Sequence, residues 1–159
     1  MNIRDALISF NVHRLALPVL KKFMKPELIP FTMEELKQLP QGSLGNELFH
    51  FLTRNHFSFL PHFETHDVKH VLLNYGISGR DEACMQYFYI ANGHYSIATV
   101  ASAIASFIIM PDCFFAFRRA FIRGKKAFPI GNLELQKLLH YNTKELQMRF
   151  QIQEPSLNN

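Results

Sequence analysis

Apolar residues recur at three- and four-residue spacings along most of the chain, and no stretch alternates convincingly with period two. Ile3, Leu7 and Phe10, with Arg4, Asp5 and Arg14 elsewhere, predict an amphipathic helix over 3–16 that ends before Pro18, and a short basic helix through Lys21-Lys22 follows. Thr32 with Glu35 makes a capping box for 33–39. Ser43 can cap 44–54, where Leu44, Leu48, Phe51 and Leu52 form an inner stripe. A helix over 66–74 should close near Tyr75-Gly76, and Asp81 then reads as the N-cap of a helix that Glu82 opens and Asn92-Gly93 ends. The next helix, Ser96 to Met110, carries Ala98, Ser102, Ala105 and Ser106 at spacings that let another helix approach. Asp112 caps the one after it, which holds Phe114, Phe115 and Phe117. Short helices starting at Asn132 and at Asn142, the latter with Glu145 in capping-box position, complete the chain. The expected fold is all-α, a single compact helical domain over 1–159 whose residues 1–31 form N-terminal amphipathic helices.

Composition refines this picture at a few points. With 159 residues and 48% hydrophobic content, the chain has the size of one domain and can bury a substantial core. Sixteen Phe against no Trp leave much apolar bulk to place in a core, a lipid pocket or a membrane-facing patch. The run Ile97 to Met110 is shorter than the ~20 residues that span a bilayer, so it predicts a buried helix. A net charge of +4 without basic residues alternating with exposed aromatics excludes the known nucleic-acid modules and suits a membrane surface or an anionic group. Cys84 and Cys113 lie in apolar helical stretches without metal-type spacing, which predicts buried free thiols in a reducing compartment. The N-terminus has neither the apolar core of a secretory signal nor the Arg- and Ser-rich character of a transit peptide, so the expected location is the cytoplasm.

The chemistry concentrates in His66-Asp67-Val68-Lys69-His70, followed after eleven residues by Glu82. On a helix His66 and His70 share one face, and a reversing loop can return Glu82 beside them, so that two imidazoles and a carboxylate converge on one ion. Asp67 adds a second carboxylate. It lies about 100° around the helix from His66, and so is either a ligand or a group that orients a histidine from outside the ligand set. Mixed nitrogen and oxygen donors suit Zn(II), Fe(II) or Mn(II) better than Mg(II) or Ca(II). The bare His-x-x-x-His pair is more commonly a polar patch. A zinc-peptidase reading of His-Asp-x-x-His fails because Asp67 is one methylene shorter than the glutamate base of that motif, and nothing else in the chain resembles a peptidase. A His-Asp phosphohydrolase finds no pattern support for its additional ligands.

Read with its neighbours, His-Asp-x-x-His-x11-Glu resembles the signature of the Coq-four family of ubiquinone-biosynthesis proteins. Upstream, Leu39-Pro-Gln-Gly-Ser-Leu-Gly-Asn-Glu-Leu-Phe-His-Phe-Leu52 is similar to that family's Pro-x-Gly-(Thr/Ser)-Leu-Gly helix. Downstream, Phe117-Arg-Arg-Ala-Phe-Ile-Arg-Gly-Lys-Lys-Ala-Phe-Pro-Ile130 resembles its Arg-Gly-(Arg/Lys)-x-Ala-x-Pro-Leu block. Leu133-Glu-Leu-Gln-Lys-Leu-Leu-His-Tyr-Asn-Thr-Lys-Glu-Leu-Gln147 follows its closing helices, and the resemblance covers 39–150. The chain departs from the family in a shorter segment before His66, where Leu60-Pro-His-Phe-Glu-Thr65 stands, and in lacking a tryptophan near Leu133.

The resemblance implies a metal-binding peripheral protein at the inner face of a membrane, with His66, Asp67, His70 and Glu82 as the metal site. It implies a polyprenyl lipid or prenylated aromatic intermediate as ligand, oxidative decarboxylation at ring carbon 1 as the activity, and other quinone-biosynthesis proteins as partners; a homodimer is compatible with it. The alternative is a lipid-binding scaffold that organises such enzymes without catalysis. No catalytic residue is assigned. Arg118, Arg119 and Arg123 are candidates for a lipid head group, against the plainer reading of a solvated helix face whose cations offset the helix dipole.

Overall fold

A computed structural model describes residues 31–57, 64–131 and 133–155. The helices expected over 3–16 and at Lys21-Lys22, the Leu60–Thr65 link up to residue 63, and the helix start at Asn132 lie outside the described residues. Within them the chain forms seven α-helices and no strand: α1 Met33–Gln38, α2 Leu44–Arg54, α3 Glu64–Leu73, α4 Gly79–Ala91, α5 Ile97–Ile109, α6 Phe114–Lys126 and α7 Thr143–Arg149. Two 3-10 turns, Pro111–Cys113 and Leu135–Leu138, complete the order. The expected all-α class is what the structure has.

Side-chain capping accounts for most helix starts. Thr32 and Glu35 exchange hydrogen bonds with each other's backbone at α1. Ser43, Ser96 and Asn142 cap α2, α5 and α7. Three local expectations are corrected. Ser78, not Asp81, caps α4; Asp81 stands three residues on, its backbone N–H donating to the Ser78 hydroxyl, which in turn donates to the Asp81 carboxylate. The left-handed residue that closes α3 is Asn74, with φ +53°, not Gly76. Asp112 does not cap α6 but sits inside the 3-10 turn that leads into it, and Cys113 occupies the cap position without a side-chain bond.

The core is the meeting of the inner faces of α2, α3, α4 and α6. Leu44, Leu48, Phe51 and Leu52 of α2 are all buried, with Val68, Leu72 and Leu73 of α3 and Met85 and Phe88 of α4. Helices α4 and α6 pack closely: Tyr87 stacks on Phe117 with ring centroids 4.7 Å apart, and a Cβ on Gly124 would stand 2.2 Å from the Phe88 carbonyl oxygen. The end of α4 is tied down by Asn92. Its amide nitrogen donates to the carbonyls of Gly124, Ala127 and Phe128, and its oxygen accepts from the Ile130 N–H.

Helix α5 is the largest departure from expectation. Only Thr99 and Ala103 are buried within it, while Ile97 is 92% and Ile108 72% exposed. The small residues Ala98, Ser102 and Ala105 face outward; the contact with α4 runs through Ala103, whose carbonyl accepts from the Tyr87 hydroxyl. A helix whose apolar run is relieved only by Thr99, Ser102 and Ser106 has no continuous polar face to turn to water, so docking along one narrow stripe leaves most of the rest as exposed hydrocarbon. Phe114 and Phe115 of α6 continue this exposed surface. No single helix among the described residues is long and apolar enough to cross a membrane; α5 and the segment Pro111–Lys126 pass together by length and composition but bend by 106°. Cys84 is buried as expected, whereas Cys113 is only half-buried, and both are free thiols.

Candidate metal centre

His66 and His70 sit one turn apart on α3, with ring centroids 4.7 Å apart, and Glu82 faces them from the first turn of α4. The reversal at Asn74 and the Ser78 cap bring the two helices into this opposition. His66 Nε2 lies 3.4 Å from one Glu82 oxygen and His70 Nε2 3.1 Å from the other, and one donor atom from each residue falls within 4.8 Å of the others. Tetrahedral bonds near 2.0 Å hold their donors roughly 3.3 Å apart, so each imidazole stands at about ligand spacing from one carboxylate oxygen, while the three-residue set spans up to 4.8 Å and closes somewhat around an ion.

The donor chemistry passes a further test. His70 Nδ1 lies 3.3 Å from the Tyr75 carbonyl oxygen. A carbonyl only accepts, so this contact places the proton on Nδ1 and leaves the Nε2 lone pair facing a carboxylate. Two acceptors 3.1 Å apart call for a cation or a proton between them. A backbone carbonyl behind the ring is also how metal-binding histidines are oriented.

Asp67 occupies the other side of His66. Its carboxylate is 3.8 Å from Nδ1, while Nε2 faces Glu82, so Asp67 stands outside the group of three and is placed to orient the imidazole. Burial disfavours the charged form of His66, but hydrogen bonds to Asp67 and Glu82 and the charges of both carboxylates outweigh it and raise its pKa to about 9. Burial likewise opposes ionisation of Glu82, and the two imidazoles overcome it, holding the carboxyl far below the usual carboxylate range. Without a metal, a proton on His66 faces one oxygen of the Glu82 carboxylate.

Several neighbours of the site carry no motif signal. Phe51 stacks on His70 at 5.4 Å, which fixes the plane of a ring that is 2% exposed. Lys69 lies one turn from His66 with its ammonium 5.3 Å from the ring centre of Tyr89. Tyr89 is seven residues beyond Glu82 on α4; burial, with the charge of Glu82, pushes its phenol well above its usual value, and its hydroxyl is buried without a hydrogen-bond partner. Only the spacings, three from His66 and seven from Glu82, could have pointed to them. A cleft of about 480 Å³ borders His70, and Phe51, Val71, Tyr75, Arg54, Lys144 and Gln147 are among the residues that line it.

The three head-group candidates separate. Arg118 is exposed, Arg119 half-buried, and Arg123 buried, with Arg119 and Arg123 lining a second cleft away from the histidines. Helix α5 lines neither cleft.

No family model and no curated protein matches the chain. Among solved structures it is similar to the crystal structure of a proposed ubiquinone biosynthesis protein from Nostoc punctiforme PCC 73102, with a TM-score of 0.62 and 17% identity over 97% of this chain and 83% of that one. The likeness is one of fold along nearly the whole chain.

Proposed function

We propose that the protein binds a divalent metal ion through His66, His70 and Glu82 and acts in ubiquinone or prenylquinone biosynthesis on a polyprenylated aromatic intermediate, supporting oxidative decarboxylation at ring carbon 1. The observation that carries this reading is the convergence of those three donors within 4.8 Å of one another in a fold shared with a proposed ubiquinone biosynthesis protein. A bound Zn(II), Fe(II) or Mn(II) ion supplies a Lewis acid for an oxygen of the substrate. The chain's own part is orientation: the Tyr75 carbonyl fixes His70, Asp67 steadies His66, and Phe51 closes one side of the site.

The exposed apolar surface of α5 and the start of α6 supports a membrane-surface location, since a contiguous patch of this kind marks an interaction site. Elemental analysis of purified protein, followed by titration of the metal-loaded form with a prenylated hydroxybenzoate, tests the reading. Stoichiometric metal and saturable binding, both lost in Glu82→Gln, are expected. Metal without saturable binding of the prenylated ligand would count against both this reading and the lipid-binding scaffold, and leave a metal-binding module.

A further inference from the structure

We propose that Arg80, Arg119 and Arg123 form a binding site for the phosphate group of a phosphomonoester, in the cleft between the first turn of α4, the middle of α6 and the C-terminal segment. The cleft is about 310 Å³ and shares no side chain with the metal centre. Its floor is Arg123, which is only 5% exposed. Its Nε donates to the Gln153 carbonyl and Nη2 to the Leu73 carbonyl, and its guanidinium carbon lies 4.8 Å from the Tyr75 ring centre and 5.4 Å from that of Phe88. Nη1 is buried with no partner.

An arginine cannot shed its proton to escape burial, so a buried guanidinium with a free N–H pair needs an acceptor. The carboxylates that line the cleft do not supply one. Asp81 accepts from the Ser78 hydroxyl and Glu154 from the Asn74 amide, each at 2.6 Å, and no ion pair joins either to Arg80, Arg119 or Arg123. Arg80, from α4, and Arg119, one turn before Arg123 on α6, line the same space, with Ala116, Ala120 and Ile122 as its apolar wall. The remaining Nη1 N–H pair of Arg123, together with the charges of Arg80 and Arg119, suits the higher charge and three terminal oxygens of a phosphomonoester better than a single carboxylate.

The same group can come from a soluble metabolite or from a lipid, and the test separates them. Full-length protein in chelator, which silences the metal centre, is titrated with glycerol 3-phosphate and with inorganic phosphate by calorimetry. In parallel it is sedimented with phosphatidylcholine vesicles with and without phosphatidic acid. Saturable binding, one per chain, is expected in at least one arm, weakened about tenfold or more by Arg119→Gln and by Arg80→Gln and unchanged by Lys125→Gln, a cation elsewhere on α6. Both substitutions fall on side chains that reach solvent, so the fold survives them. Binding of the soluble ester assigns a metabolite site, and binding confined to phosphatidic acid assigns a lipid one. Absence of binding in both arms, or binding equal in wild type and both variants, overturns the proposal.

Discussion

The Tyr75 carbonyl oxygen lies 3.3 Å from His70 Nδ1, and the ring of the same tyrosine lies under Arg123. One residue in the α3–α4 turn therefore sets the tautomer of a candidate ligand with its backbone and carries a buried cation with its side chain. The turn is a working part of the molecule on both counts.

Glu82→Gln should remove metal binding while leaving the helical circular dichroism spectrum in place. The side chain is a third exposed and the amide keeps its shape, so the loss is one of donor charge. Affinity is expected to fall by more than about 100-fold, whereas Asp67→Asn, acting through His66, should cost about 10- to 100-fold without changing stoichiometry. Metal titration monitored by competition with a chromophoric chelator distinguishes the two.

Metal-free protein should lose stability as the solution is made alkaline. His66 is held at about 9 against an ordinary 6.5, so its contribution is complete below about 6.5 and gone once pH passes about 9. Glu82 works in the opposite sense: held below its ordinary value, it contributes above about 4.5 and loses that contribution on acidification. Thermal midpoints in chelator across this range, compared with His66→Gln, check the alkaline limb. Metal loading should release a proton and bind more tightly as pH rises.

Ile108→Asp and Phe115→Asp should leave the folded state nearly untouched, within about 0.5 kcal/mol, because their side chains are 72% and 67% exposed. The same changes should reduce sedimentation with anionic vesicles. Thermal denaturation and vesicle co-sedimentation give the two readings from one preparation.

Gly124→Ala should destabilise the domain by about 1–3 kcal/mol or more, since the added carbon meets the Phe88 carbonyl at 2.2 Å and forces α4 and α6 apart. Denaturant midpoints measure the loss.

Much of this architecture was legible from spacing alone. The α2 stripe of Leu44, Leu48, Phe51 and Leu52 and the caps Thr32, Ser43 and Asn142 are local patterns whose physics lies within a few residues, and the structure has each of them. The His66–His70 pairing follows from helical pitch in the same way. What escaped depends on competition or on distant packing. Ser78 and Asp81 both cap well, and only the observed start of α4 decides between them. Asn74 can take the left-handed conformation that glycine was expected to supply. The exposure of α5 was hidden because an all-apolar helix gives no sign of which face docks. The burial of Arg123 was hidden because its partners, Leu73 and Gln153, lie 50 and 30 residues away.

The four hydrogen bonds of Asn92 act at one end of α4, and Glu82 stands at the other, about 15 Å away at 1.5 Å per residue. A rigid helix turns a small tilt at its anchored end into a comparable displacement at its free end, so the alignment of the candidate ligands is calibrated by an amide that touches none of them. Random mutagenesis screened for metal affinity should therefore return changes around Asn92 and the 127–130 segment as well as around the histidines, with the distant class recoverable by second-site changes that re-seat the helix.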